Sequence, residues 1–183
     1  MKVVCFGDSN TYGYDPRSYF GDRYCRKHRW VDLLSIKSGW EIQNAGSNGR
    51  EVPRVPITVA DEVDLLIIML GTNDLLQGRS VESIADAMER FLLALGISGD
   101  RVLLVAPPPM AYGEWVGERD LIDASHALAI AYEQLALKMN IRYVNAGEWN
   151  VPLCFDGVHF TEEGHIRFAE GLFAYLKKEK IYA

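Results

Sequence analysis

Four short polar clusters hold the side chains in this sequence that could do chemistry together. Ser9 lies in "FGDSN" (6–10) and Asn73 in "GTND" (71–74). Asp156 and His159 lie in "DGVHF" (156–160), and "NAGSNGR" (44–50) adds a loop of small residues. A serine hydroxyl is a poor nucleophile at neutral pH unless a base takes its proton, and His159 can be that base. A carboxylate must then fix the imidazole tautomer and stabilise the imidazolium, and Asp156, three residues earlier, is close enough to do so locally. The tetrahedral intermediate of acyl transfer needs hydrogen-bond donors. The backbone N–H groups of Ser9 and of a glycine in the second loop, with the Asn73 amide, could supply them. Glycine suits that place because it lets backbone approach a substrate closely.

Each residue also has a plainer use. Ser9 could cap a helix, sit in a loop or bind a phosphate at a helix N-terminus. Asp8 and Asp74 fit caps or turns, Asn73 a turn amide, and His159 an ordinary capping or surface position. His165 is the nearby competitor for the base, but it falls inside the last helical pattern and fits packing or an exposed position better, and His28 and His126 fit surface or structural roles.

The elements that must position these clusters alternate along the chain. Strand-like runs occupy residues 3–6, 40–44, 63–70, 101–106 and 141–144. Helical patterns lie between them. Ser80 can cap a helix whose Val81, Ile84, Met88, Phe91, Leu92 and Leu95 share a face, with Gly96 ending it. Residues 120–139 are helical in composition. A last helix starts near Thr161, with Glu162 and Glu163 at its positive end and Lys177 and Lys178 at its negative end. Its apolar face is Ile166, Ala169, Leu172, Phe173 and Leu176. Such alternation predicts an α/β fold with a parallel sheet.

Strands one, three and four are continuously apolar, as strands covered on both faces should be, whereas strands two and five carry polar positions and read as edges. This fits the order 2-1-3-4-5, a flavodoxin-like, three-layer α/β/α arrangement with five parallel strands, although other orders are also compatible with it. In the 2-1-3-4-5 order the loops after strands one and three flank the ligand crevice, and these carry Ser9 and Asn73. Strands one and five would lie three spacings apart, roughly 14 Å at about 4.8 Å each. Residues 145–158 can span roughly 45 Å at about 3.3 Å per residue, so His159 can reach Ser9.

Bulk properties exclude several classes. The 183 residues are 49% hydrophobic and 24% charged, with no repeat or linker, and read as one domain over 1–183. A net charge of −6 argues against a nucleic-acid or membrane surface. Cys5, Cys25 and Cys154 have no metal-ligand spacing, so no zinc site is expected, and reduced, mostly buried thiols are. The chain enters a strand directly after Met1-Lys2, with no basic segment leading into an apolar one, and the longest apolar run is far too short for a bilayer. The expected location is the cytoplasm.

The clusters, in this order, resemble the motif blocks of GDSL-type esterases of the SGNH hydrolase superfamily along nearly the whole chain. "FGDSN" is similar to the nucleophile block, "NAGSNGR" to the glycine block, "GTND" to the asparagine block and "DGVHF" to the Asp-x-x-His block. "GDSNTYGY", "RW" at 29–30, "NGR" and "IIMLGTNDL" are most similar to the arylesterase/acyltransferase branch. The resemblance implies Ser9 as nucleophile, His159 as base, Asp156 as its partner, and Ser9, Gly49 and Asn73 as the oxyanion hole. Gly49 is chosen over Gly46 because the family's glycine lies five residues after the Asn that ends strand two, here Asn44. Two positions depart from the family. Asn10 stands where an aliphatic residue is common, and Glu51 where a threonine is.

The expected function is hydrolysis of small carboxylic esters, acetyl or another short acyl, through an acyl-enzyme. Aryl esters, acetylated sugars and thioesters all fit, and an apolar crevice would favour acyl transfer to an alcohol. No metal or organic cofactor is needed, the partner is a small-molecule ester, and a homo-oligomer is compatible with the fold. The rival reading is a flavodoxin-like module holding an anion or nucleotide. Against it, the chain has no P-loop or G-x-G-x-x-G pattern, and a phosphate site has no need of Asp156-x-x-His159. A relative without activity is the third reading, and the complete motif set opposes it. "GISGD" (96–100) looks like a glycine block but reads as a helix stop before strand four. "APPP" (106–109) reads as a stiff loop or a crevice wall. Tyr12, Arg50, Trp115 and Trp149 are candidates to line the pocket, and Asn10 is a candidate to help set which ester is accepted.

Overall fold

The computed structural model describes residues 1–20, 22–55 and 63–181. Strands β1 (Lys2–Gly7), β2 (Glu41–Gly46), β3 (Leu65–Met69), β4 (Val102–Ala106) and β5 (Arg142–Asn145) form one sheet in the order β2-β1-β3-β4-β5. Every pairing is parallel. The expected order and layers therefore hold. β2 runs two residues beyond the expected end, to Gly46, because Asn44, Ala45 and Gly46 keep pairing with Cys5, Phe6 and Gly7.

Side-chain alternation along each strand divides the core in two. On one face Val4, Phe6, Leu66, Ile68 and Leu104 pack against helices α3 (Thr72–Leu76), α4 (Val81–Ala94) and α5 (Arg119–Met139). On the other, Val3, Cys5, Ile67, Leu103 and Val105 pack against α2 (Trp30–Ser38) and α6 (Glu162–Lys178). The short helix α1 (Ser9–Tyr12) leaves the end of β1. Ser80 caps α4 through Ser83 N–H, and Thr161 caps α6 through Gly164 N–H, as their residue types predict.

The register sets the height of the loops. Gly7 is level with Gly46 of β2 and Met69 of β3, so the polar clusters after β1, β2 and β3 emerge side by side. "GISGD" lies at the opposite end of the sheet, between α4 and β4, as a helix stop and a turn. The thiols differ from expectation. Cys5 is buried under the sheet, but Cys154 is half-buried and Cys25 is exposed, because residue 25 precedes a surface turn rather than a strand. All three are free thiols. Among the described residues no helix is long and apolar enough to cross a membrane.

Candidate active site

The chain turns sharply where β1 ends. Asp8 caps α1, its carboxylate accepting the Asn10 N–H at 3.0 Å, and Ser9 is the first helical residue. Asp8, Ser9, Asn10 and Thr11 are all buried although polar. Such burial requires partners, and each of the first three has one. Burial pushes the Asp8 carboxyl up to about 6 against the pull of the Asn10 N–H and of nearby His159.

At the far end of the chain Asp156 turns the backbone toward α6. Its Oδ1 accepts the N–H groups of Val158 and His159, each at 2.9 Å. Its Oδ2 lies 2.7 Å from His159 Nδ1. His159 Nε2 lies 3.0 Å from Ser9 Oγ. A carboxylate only accepts, so Nδ1 carries the proton and donates it to Asp156, and Nε2 accepts from the Ser9 hydroxyl. Ser9, Asp156 and His159 are each at most 5% exposed. Burial alone would raise the Asp156 carboxyl. The His159 ring and the two backbone N–H groups outweigh it and hold the carboxyl below its usual range. The arrangement can take a proton from Ser9 and hold the resulting imidazolium.

The Asp156–Phe160 segment is held from two sides. Asn10 reaches it from α1, with Nδ2 donating to Val158 O at 3.1 Å and Oδ1 accepting Phe160 N–H at 2.9 Å. From the other side comes the loop after β4, which begins with the proline run. Ala111 N–H donates to Gly157 O, Glu114 N–H to Phe155 O and Trp115 N–H to Asp156 O. Gly157 has φ +80°, and a side chain there would also strike Ala111 O. The loop thereby carries Trp115 edge-on to the His159 ring at 5.1 Å, and Tyr14 covers the ring from elsewhere at 4.8 Å.

The other predicted positions are placed as follows. Asn73 lies in α3, directly after β3, and its Nδ2 donates one hydrogen to Arg50 O at 3.1 Å. Gly49 is an exposed turn residue with φ +70° and open space where a side chain would begin. Gly46 N–H is taken by Asn44 Oδ1 at 2.9 Å. Asp74, fully buried, accepts Val52 N–H at 2.9 Å and ties the glycine loop to α3, a structural use. Burial pushes its carboxyl up.

Of the four suggested pocket residues, Trp115 is at the site. Arg50 turns inward to bond Gly7 O and Ala45 O and covers the Phe6 ring. Tyr12 stacks under Arg23 at 4.1 Å. Trp149 lies against Gly171 and Phe168, in the layer of α6. Tyr14 and the role of Asn10 escaped the sequence reading. Neither has a spacing that betrays it, since both meet residues about 150 positions away.

Comparison with known proteins identifies the family. The GDSL-like Lipase/Acylhydrolase family matches over residues 5–167, most of the chain. The chain belongs to that family. As a GDSL-like acylhydrolase it is a carboxylic ester hydrolase acting on small esters. Among solved structures it is similar to a carbohydrate acetylesterase from Sinorhizobium meliloti, at 26% identity and TM-score 0.81. It is also similar to the M. smegmatis aryl esterase, at 26% identity and TM-score 0.79. In both cases the likeness covers 97% of this chain and 98% of the other. Among curated proteins no match was found.

Proposed function

We propose that this acylhydrolase works through Ser9 as nucleophile, His159 as general base and acid, and Asp156 as the partner that orients His159. The observation that carries this is the unbroken, buried chain from Ser9 Oγ to His159 Nε2 at 3.0 Å and from His159 Nδ1 to Asp156 at 2.7 Å. Ser9 Oγ attacks the ester carbonyl carbon while its proton passes to Nε2. The carbon–oxygen bond to the alcohol then breaks, and the alcohol leaves with that proton. Water, deprotonated by the same nitrogen, attacks the acyl carbon; the bond to Ser9 Oγ breaks, the acid leaves and Ser9 takes the proton back from Nε2. Asp156 stays ionised, as its lowered carboxyl allows.

The negative oxygen of each tetrahedral intermediate is assigned to the N–H groups of Ser9 and Gly49 and to the Asn73 amide. Two observations support Gly49 over Gly46. The Gly46 N–H already has a side-chain acceptor, and Gly49 presents its backbone at an open turn. The bond from Asn73 to Arg50 O ties the asparagine to that same loop and leaves its second amide hydrogen for substrate.

The substrates are esters with a short acyl group, acetyl foremost, because so compact a chain has little room for a large lid. Trp115, Tyr112 and Phe155 are half or more exposed around the 155–157 turn. Their exposed rings offer apolar surface on which an aryl ring or the apolar face of a sugar can rest. The structures similar to this chain include an aryl esterase and a carbohydrate acetylesterase.

The test is a fluorophosphonate probe followed by peptide mapping. Ser9 should be the labelled residue, and labelling elsewhere would remove it from the role. Asn73→Ala should lower turnover of p-nitrophenyl acetate by roughly 10²–10³, the usual cost of one oxyanion donor.

A further inference from the structure

Asn10 stands beside the proposed nucleophile and is buried. Its carboxamide does what a neighbouring strand does for a backbone. One end donates to Val158 O and the other accepts Phe160 N–H, at 3.1 Å and 2.9 Å, so the two bonds straddle His159. An asparagine side chain can do this because it offers a carbonyl and an NH₂ in the geometry of a peptide group.

Asn10 is itself held. Its N–H donates to Asp8 and its carbonyl accepts the Trp30 indole N–H at 3.0 Å, and Trp30 is buried. The rest of the 158–160 backbone is satisfied locally or by other elements. The N–H groups of Val158 and His159 go to Asp156, His159 O accepts from Cys154 N–H, and Phe160 O accepts from the Tyr24 hydroxyl. None of those partners belongs to the helix that carries Ser9. The Asn10 carboxamide ties that helix to the backbone on both sides of His159.

We infer that Asn10 is a positioning residue that sets the distance between Ser9 and His159 by clamping the backbone on either side of the histidine. The inference rests on the Ser9–His159 reading above. Removing the clamp leaves a buried N–H and a buried carbonyl unpaired and lets the imidazole drift from the serine. A displacement of about 1 Å can cost about 10²-fold in rate.

The experiment compares wild type with Asn10→Ala and the isosteric Asn10→Asp. The aspartate variant keeps the volume and the Phe160 bond and, assayed at alkaline pH where its carboxyl is ionised, sets an acceptor against Val158 O, so it tests the clamp even where alanine fails to fold. For each, kcat and KM on p-nitrophenyl acetate are measured beside the rate and stoichiometry of fluorophosphonate labelling. The expected result is kcat lower by about 10- to 100-fold, with KM within about threefold. Labelling should slow in parallel but still reach one per chain. Labelling that stays fast but stops short of one per chain would reduce Asn10 to a folding role and overturn the inference. A change in KM with kcat intact would make it a substrate contact and overturn it equally, as would rates unchanged in Asn10→Asp. Ser9→Ala separates the two readings. Activity surviving there sinks the nucleophile assignment, whereas an inactive Ser9→Ala with an unaffected Asn10→Asp sinks only the clamp.

Discussion

His159 and His165 lie six residues apart, are both buried, and face opposite fates. His159 has a carboxylate on one nitrogen and a hydroxyl on the other. His165, in the first turns of α6, accepts Trp30 N–H at 3.4 Å through Nδ1 and has no partner for Nε2 among the described residues. Its ring is instead enclosed by those of Tyr24 and Phe160. Burial, helped by the nearby Arg29 charge, pushes His165 down to about 3, so it is neutral at neutral pH. Burial by itself therefore does not make a histidine a base. A carboxylate that will receive the imidazolium does.

The largest effect that could break this contrast is at His159. His159→Ala should lower turnover by about 10⁶, as for other bases that act with a serine, while His165→Phe should keep kcat within a few-fold of wild type. Steady-state kinetics on an aryl acetate decides it, and a collapse in His165→Phe would mean the wrong histidine has been assigned. Next is Asp156→Asn. The amide keeps the shape but can present a donor to Nδ1, which favours the wrong tautomer, and a loss of about 10⁴ is expected. Retained activity would show that the carboxylate charge is dispensable.

The contrast also predicts how stability responds to acid. Since the folded value of His165 lies below its unfolded value of about 6.5, the unfolded chain gains a proton first as pH falls. Its contribution is whole above about pH 6.5 and is lost progressively toward pH 3, on the order of 5 kcal/mol in all. Thermal melts of His165→Phe should show a shallower acid slope than wild type, and an unchanged slope would contradict the burial argument. Asp8 acts in the opposite sense and less strongly. With its carboxyl raised to about 6, the folded state holds the proton longer, so stability falls as pH rises from about 4 to 6. Asp8→Asn retains a good cap and should recover on the order of 3 kcal/mol above pH 6. A variant no more stable at pH 8 than at pH 4, relative to wild type, would refute this.

Much of this was legible in one dimension because it is local. The apolar runs of β1, β3 and β4 and the polar breaks in β2 and β5 separate interior strands from edges, and the observed order is one that this separation permits. The caps at Ser80 and Thr161 follow from residue type. Asp156 and His159 are close in sequence, so their pairing needed no tertiary knowledge. Trp149 and Asn10 were harder for a common reason. Trp149 is a large aromatic whose neighbours, Gly171 and Phe168, are set by how α6 docks. Asn10 sits next to the nucleophile in sequence, where a polar side chain suggests a substrate contact. In the fold its carboxamide faces backbone at Val158 and Phe160.

The sequence alone determined the α/β alternation, which strands are interior and which are edges, and the four clusters of reactive side chains, because periodicity and residue chemistry act over a few positions. Only the tertiary structure decided which histidine meets Ser9, which nitrogen carries the proton, and what Asn10 does. Those depend on a parallel sheet that levels Gly7 with Gly46 and Met69, and on a chain return that brings residue 159 beside residue 9. No local preference encodes a contact across 150 positions. It exists only once the crossover helices have packed and the strands have taken their register.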